Sequence, residues 1–392
     1  MDVFERLARR VLREGAATFK LPGGRAFVIG DPREAERLVA EITSAAWLSR
    51  IVRRPSMGLG EAYMEGGFVL HSGTIYDLLD LVGRNFANRP DTRVTWVRLL
   101  SRRIDQANNR LRSRRNVAAH YDLSLQLYRL FLDADLQYSC AYYARPDMTL
   151  EEAQVEKKAR LAKKLLLKPG VKLLDIGCGW GGLGLTLAEA GAQVVGVTLS
   201  TEQLATAQAR AVERGLTDRA EFRLQDYRDV PETFDRVVSV GMLEHVGLPQ
   251  MDEYFQTVAR HLADDGVAVI HSIGRAHGPN TTQPWIARYI FPGGYIPALS
   301  EVLPSIERAG LWITDIEILR LHYAETLKAW AERFTARRAE AAALYDERFC
   351  RMWEFYLAAS EVAFRWGDHM NFQIQLAKRR DVVPLNRDYL CG

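Results

Sequence analysis

The sequence predicts an α/β protein in which a doubly wound sheet domain with added helices follows a smaller mixed α/β domain. Three observations carry this. Residues 171–240 alternate short apolar runs with helical patterns. A turn with four glycines, Gly177-Cys178-Gly179-Trp180-Gly181-Gly182, stands where the first apolar run meets the first helix. The N-terminal residues carry helix and strand periods of their own. With 392 residues, 48% of them apolar and 26% charged, the chain has room for two or three domains, and disordered and fibrous classes are excluded.

In the N-terminal part, Val3, Leu7, Val11 and Leu12 recur at helical spacing, residues 25–29 read as a strand, and Asp31-Pro32 opens another helix. The stretch 55–69, with Gly58, Gly60, Gly66 and Gly67, reads as loop and short extended pieces, and 75–82 as helix. In the larger domain, strands are expected at 172–176, 193–197, 222–224, 234–240 and 267–273. Helices are expected at 183–190 and after Ser200, a residue type that caps helix N-termini. The last hundred residues read as mainly helical, including 324–349 and 351–365.

The net charge of +3 conceals a cluster. Between Arg89 and Arg115 nine arginines face only Asp91 and Asp105, a local net charge of +7 that suits phosphate, whether in nucleic acid or on an anionic lipid surface. Cys140, Cys178, Cys350 and Cys391 are too sparse for a disulfide framework or a paired-cysteine zinc site, so no metal is expected and a reducing cytoplasm fits. There is no run of eighteen apolar residues, so any membrane contact is expected to be peripheral.

Glycine at a strand-to-helix turn tolerates positive φ and lets a ligand approach the backbone. A dinucleotide site usually adds an acid near the end of the second strand, but here that end reads Gly196-Val197-Thr198-Leu199-Ser200. Asp175 before the turn, the Gly-x-Gly-x-Gly spacing and Gln225-Asp226-Tyr227 together resemble the pocket of a Rossmann-like class I S-adenosylmethionine (SAM)-dependent methyltransferase. The resemblance implies that Asp175, Gly177 and Gly179 line the methionine end and that Gln203, Gln225 and Asp226 lie near ribose or adenine. Tyr121, Ser139, Trp180, Gly181, Thr198 and Leu199 complete the implied cofactor set.

Further segments narrow the likeness. Tyr138-Ser139-Cys140-Ala141-Tyr142-Tyr143, Gly241-Met242-Leu243-Glu244-His245-Val246-Gly247, His271-Ser272-Ile273-Gly274, Tyr289-Ile290-Phe291-Pro292-Gly293-Gly294 and His322-Tyr323 with Thr326, Leu327 and Trp330 resemble the cyclopropane-fatty-acyl-phospholipid synthases and the related mycolic acid methyltransferases. The likeness covers most of 116–378. Gly60-Glu61-Ala62-Tyr63-Met64-Glu65-Gly66 extends it to the extra domain of the longer, phospholipid-acting synthases. The implied division is a small lipid-facing domain at 1–85, an Arg-rich connector at 86–115 and a seven-stranded catalytic domain with acyl-pocket helices at 116–392.

The implied reaction transfers a methylene unit from SAM to the cis double bond of an unsaturated phospholipid acyl chain, by methyl transfer, deprotonation and ring closure. An isolated alkene is a weak nucleophile, so the step needs close, water-poor alignment and leaves positive charge on a lipid carbon. Aromatic faces such as Trp180, Tyr142 or Tyr289 suit that charge. The resemblance implies bicarbonate as the base, held by Cys140, Glu244, His271, Tyr323 and the Ile273 backbone. Each of these side chains has a bland reading too: taken singly, Cys140 is a packing residue and His271 a satisfied core histidine, and His245 is read as structural.

One segment departs from the family pattern: where Gly-Asn is usual after His120-Tyr121-Asp122-Leu123, this chain has Ser124-Leu125. A changed loop there bears on ring closure more than on methyl transfer, and loss of a chain proton would give a methyl-branched alkene instead. The arginine cluster is expected to hold the enzyme on an anionic membrane at the cytoplasmic inner face, and the longer synthases imply a homodimer. A nucleic-acid methyltransferase has no recognised base-reading module to support it. A noncatalytic lipid-binding protein is the remaining alternative, which failure to bind SAM would favour.

Overall fold

The structure, a computed structural model, describes residues 3–87 and 123–391. Tyr121 and the arginine cluster of 89–115 lie outside the described residues. The chain forms two compact units, each discontinuous in sequence. The first comprises Met1–Arg93, Gln283–Ile290 and Ala324–His369; the second comprises Val94–Thr282, Phe291–Tyr323 and Met370–Gly392. Nothing in the sequence signals this interleaving, because 283–290 and 324–369 fall inside the stretch read as catalytic.

The first unit holds a four-stranded sheet of β1 (Ala17–Leu21), β2 (Arg25–Ile29), β3 (Val39–Ile42) and β4 (Phe68–Ser72), in the order β2-β1-β3-β4. β1 and β2 form an antiparallel hairpin whose turn is made by Gly23 and Gly24, at φ +86° and +80°. The helix Ile75–Phe86 starts at a capping box between Thr74 and Asp77. It lies against the long helix Glu347–Arg365, where a Cβ on Gly83 would meet Val362 at 2.6 Å.

The expected loop at 55–69 is corrected: Pro55–Met64 is a helix, with proline in its first turn. Its glycines are there for close packing rather than for turns. A Cβ on Gly58 would lie 2.7 Å from the Arg50 carbonyl oxygen, and one on Gly60 would lie 2.5 Å from Trp285 Nε1.

The second unit is built on seven strands: β5 (Lys172–Ile176), β6 (Gln193–Thr198), β7 (Ala220–Leu224), β8 (Phe234–Val240), β9 (Leu262–Arg275), β10 (Trp312–Leu319) and β11 (His369–Ala377), in the order β10-β11-β9-β8-β5-β6-β7. β5 pairs in parallel with β6 and β8, β6 with β7, and β8 with β9, whereas β10 and β11 are antiparallel. Apolar side chains fill both faces of the parallel strands, with Leu174 and Ile176 on one side and Leu173 and Val238 on the other. The order reverses between β5 and β8, which opens a crevice beyond their carboxyl ends.

The expected strands of this unit are all present. The C-terminal part is less uniformly helical than expected. Seven strands are expected but only five are located from the sequence, leaving β10 and β11 unplaced, and the expected helix at 324–349 is broken at Arg337 and again before Glu347, where the Asp346 side chain caps Glu347–Arg365 by accepting from the Phe349 N–H at 2.7 Å. β11 is easily missed, because its polar Asn371, Gln373 and Gln375 look solvent-facing yet are buried.

Candidate active site

The carboxyl ends of β5, β6 and β8 open onto a cavity of about 140 Å³. Of the residues expected to bind cofactor, Ser139, Asp175, Gly177, Gly179, Trp180, Thr198, Leu199, Gln203 and Gln225 line it. Gly181 and Asp226 do not line it. Gly181 stands at φ +81° before the helix Gly182–Glu189, where a Cβ would meet Ala207 and Phe222 at 2.9 Å, so it allows that helix to pack. The Asp226 carboxylate receives two bonds from the Arg228 guanidinium, at 2.9 and 2.7 Å.

The cavity wall is held by short-range bonds. Ser200 Oγ accepts from the Gln203 N–H and starts the helix Thr201–Glu213, and Thr198 Oγ1 donates to Gln203 Oε1 at 2.9 Å. Trp180 packs on Tyr128 with ring centroids 4.8 Å apart. Two features fit a cofactor here. Gly179, at φ +54°, has open space where a Cβ would project, and buried Asp175 Oδ2 has no hydrogen-bond partner among the described residues. Burial pushes the Asp175 carboxyl up to about 7, against the opposing Gly184 N–H.

Lys157 was not anticipated. It is fully buried, and its ammonium donates to Gln137 Oε1 at 2.7 Å and Ser139 Oγ at 2.9 Å, both residues of the cavity wall. Burial brings it down to about 8. On a helix of alternating charge, Leu150–Lys164, a buried lysine has no sequence signal.

None of the five residues expected to carry the chemistry lines the cavity itself. Glu244 and Ile273 are brought together: Glu244 Oε1 accepts the Ile273 N–H at 2.6 Å. Glu244 Oε2 is buried with no hydrogen-bond partner among the described residues, and burial pushes this carboxyl up to about 7. His271 lies on β9, its carbonyl accepting from the N–H of Gly241 in the cavity wall. Cys140 is buried, its thiol donating to the Ala141 carbonyl at 3.3 Å. Tyr323 is buried at the first turn of the helix His322–Ala336.

Of the other candidates, His245 does line the cavity, and burial lowers it to about 4. Tyr142 hydrogen bonds to Glu317 and lies under the Arg160 guanidinium. Tyr289 belongs to the first unit, where it donates to Glu61. Ser124 caps the helix Leu125–Phe131, so the departure from Gly-Asn supplies a helix start.

The profile of the mycolic acid cyclopropane synthetase family matches residues 108–374. The chain belongs to this family. A probable fatty acid methyltransferase of Pseudomonas putida is 39% identical over 360 residues, 89% of this chain and 88% of that one. The cyclopropane-fatty-acyl-phospholipid synthase of Escherichia coli K12 is 38% identical over 333 residues, 85% of this chain and 86% of that one. The structure of the cyclopropane synthase MmaA2 from Mycobacterium tuberculosis superposes with a TM-score of 0.65 at 36% identity, covering 68% of this chain and 98% of that one. As a family member the chain is an SAM-dependent methyltransferase acting on a fatty-acyl chain, with the class I methyltransferase core that its strand order displays. Among the described residues no helix is long and apolar enough to cross a membrane, and no cluster of metal-binding side chains occurs.

Proposed function

We propose that the enzyme is a cyclopropane-fatty-acyl-phospholipid synthase, adding a methylene unit to the cis double bond of a phospholipid acyl chain. The observation that carries this reading is Glu244, a buried carboxyl with one oxygen held by the Ile273 N–H, the other without a partner among the described residues, and a proton affinity matched to neutral pH. Ring closure needs a base to take a proton from the transferred methyl group, and a buried carboxyl with one oxygen left over can serve as that base. The match to the phospholipid synthase along most of its length favours a phospholipid over a mycolate acceptor.

Bound SAM supplies an electrophilic methyl group on a sulfonium. The glycine turn and the Thr198–Gln203 pair would hold it, and Asp175 would supply a negative charge at that end. The alkene π pair would form the new bond to the methyl carbon as the C–S bond breaks and leaves its electron pair on sulfur, and the neighbouring lipid carbon would become cationic. In this reading Glu244 Oε2, behind the cavity wall, would accept a proton from the new methyl group, and the released C–H pair would form the third ring bond.

Bicarbonate, implied by the resemblance, fits this site in one respect only: its hydroxyl would satisfy Glu244 Oε2. The Ile273 N–H and both His271 ring nitrogens are engaged by protein groups.

The second reading, a methyl-branched alkene, is favoured by the likeness to the fatty acid methyltransferase. The deciding experiment uses methyl-labelled SAM with vesicles of cis-monounsaturated phospholipid and nuclear magnetic resonance of the acyl product. Cyclopropane methylene signals with both vinylic protons lost support ring formation, whereas a labelled methyl group beside an alkene establishes the second reading. We also assign the arginines between Arg89 and Arg115 to peripheral binding at the inner face of the membrane, and a homodimer as the working form. Sedimentation with vesicles unaffected by charge reversal at Arg102, Arg103, Arg112 and Arg114 would remove the membrane assignment, and a monomeric mass in solution would remove the dimer.

A further inference from the structure

We infer that His271 is held as the neutral Nε2–H tautomer by a relay from Lys164 through Gln373, which makes both of these positioning residues and leaves His271 unable to accept a proton. The ring is buried on β9 and flanked by two side chains of one face of β11. The Gln373 amide lies 3.0 Å from Nδ1, and the Asn371 amide 3.3 Å from Nε2.

A neutral imidazole has one N–H and one lone pair, and which nitrogen carries the proton is set by what each faces. Heavy-atom positions alone leave both amides free to turn. Lys164 removes that freedom for Gln373. Its ammonium, which can only donate, lies 2.6 Å from Gln373 Oε1. The amide oxygen must therefore face the lysine, and the NH2 group must face the ring. Nδ1 then has to be the lone pair, and the ring proton has to sit on Nε2.

The same tautomer fixes the Asn371 amide. One end of that amide lies 3.3 Å from Nε2, and the other is buried with no partner among the described residues. With that amide turned by half a revolution, Oδ1 accepts the Nε2–H, as the tautomer set by Gln373 requires.

The relay is anchored at its far end. Glu317 Oε2 pairs with Lys164, and Glu317 Oε1 accepts from Tyr142 at 3.0 Å. The charged and titratable groups acting on His271 oppose its protonation: after burial, the largest cause, Lys157, Lys164 and His322 all lower it, to about 3. An imidazolium would also set an N–H of Nδ1 against the Gln373 NH2 group. For catalysis, on the reading proposed above, proton acceptance falls to Glu244, and His271 only shapes the site. The tautomer itself does not depend on that reading.

The test is nuclear magnetic resonance of the full-length protein carrying 15N-labelled histidine, with His271 assigned from the spectrum of His271→Gln. The expected wild-type result is a pyrrole-type Nε2 and a pyridine-type Nδ1, unchanged from about pH 5 to about pH 9. A pyrrole-type Nδ1, or titration within that range, overturns the inference. Gln373→Glu is expected to move the proton to Nδ1 or to charge the ring, and Lys164→Met to give mixed tautomers. An unchanged signature in folded Gln373→Glu also overturns the inference, and if the variants do not fold, the wild-type spectrum decides alone. The labelled-methyl assay separates the two claims, because the expected tautomer without acyl product sinks the functional reading and leaves the relay intact.

Discussion

Glu244 Oε1 takes the Ile273 N–H at 2.6 Å, while Oε2, in the same carboxyl, has no hydrogen-bond partner among the described residues. One oxygen positions the group, and the proposed role falls to the other. Glu244→Gln keeps an oxygen for the Ile273 N–H and removes the proposed base. The expected outcome is a loss of acyl product of roughly 10²- to 10⁴-fold, the usual worth of a positioned base, with SAM affinity unchanged by calorimetry. Wild-type turnover in this variant would remove Glu244 from the mechanism.

The same carboxyl sets a pH dependence. Only ionised Glu244 accepts a proton, so kcat is expected to rise with pH around a midpoint near 7. A flat profile across that range, with chemistry rate-limiting, would contradict the assignment.

Stability runs the opposite way. Asp175 and Glu244 are both raised to about 7 by burial, whereas in the unfolded chain they ionise near 4. Between those values the unfolded state releases protons that the folded state keeps, so stability falls as pH rises from about 4 to about 7. Asp175→Asn, without cofactor, is expected to exceed wild type at pH 8 by on the order of 2–4 kcal/mol, with the difference closing toward pH 4. Urea unfolding at the two pH values checks the sign.

At Gly179 the turn and the ligand make separate demands. Alanine there must adopt φ +54° but meets no atom within 4 Å. The expected fold cost is about 1–2 kcal/mol. The new methyl group would project into cofactor space, so SAM affinity is expected to fall by at least about tenfold, or about 1.4 kcal/mol. Unaltered binding would show that the open space at Gly179 is not where the cofactor lies.

Gly60 tests packing against helix propensity. Within a helix, glycine to alanine ordinarily gains up to about 1 kcal/mol. Here the added Cβ would lie 2.5 Å from Trp285 Nε1 and 2.6 Å from Cδ1, so a loss of about 1–3 kcal/mol is expected. A stabilised Gly60→Ala protein would show that the indole can move aside.

Sequence reading placed the β5 turn and the next four strands because their signals are local: alternating apolar runs, glycines at positive φ and a serine cap at Ser200. It misread Pro55–Met64 because glycine carries two meanings, turn and close contact, and only the neighbour at Trp285 distinguishes them. It passed over Lys157, Lys164 and Gln373 because polar residues at helix and strand spacing read as a solvated face.

What the sequence by itself determined is the sheet domain, the glycine cradle and the family, since each is written in short stretches of chain. Tertiary structure alone decided which groups meet: Glu244 with Ile273 across 29 positions, and Lys164 with Gln373 across 209. The physical reason is burial. A polar side chain removed from water must find partners, and those partners come from segments that only folding brings together.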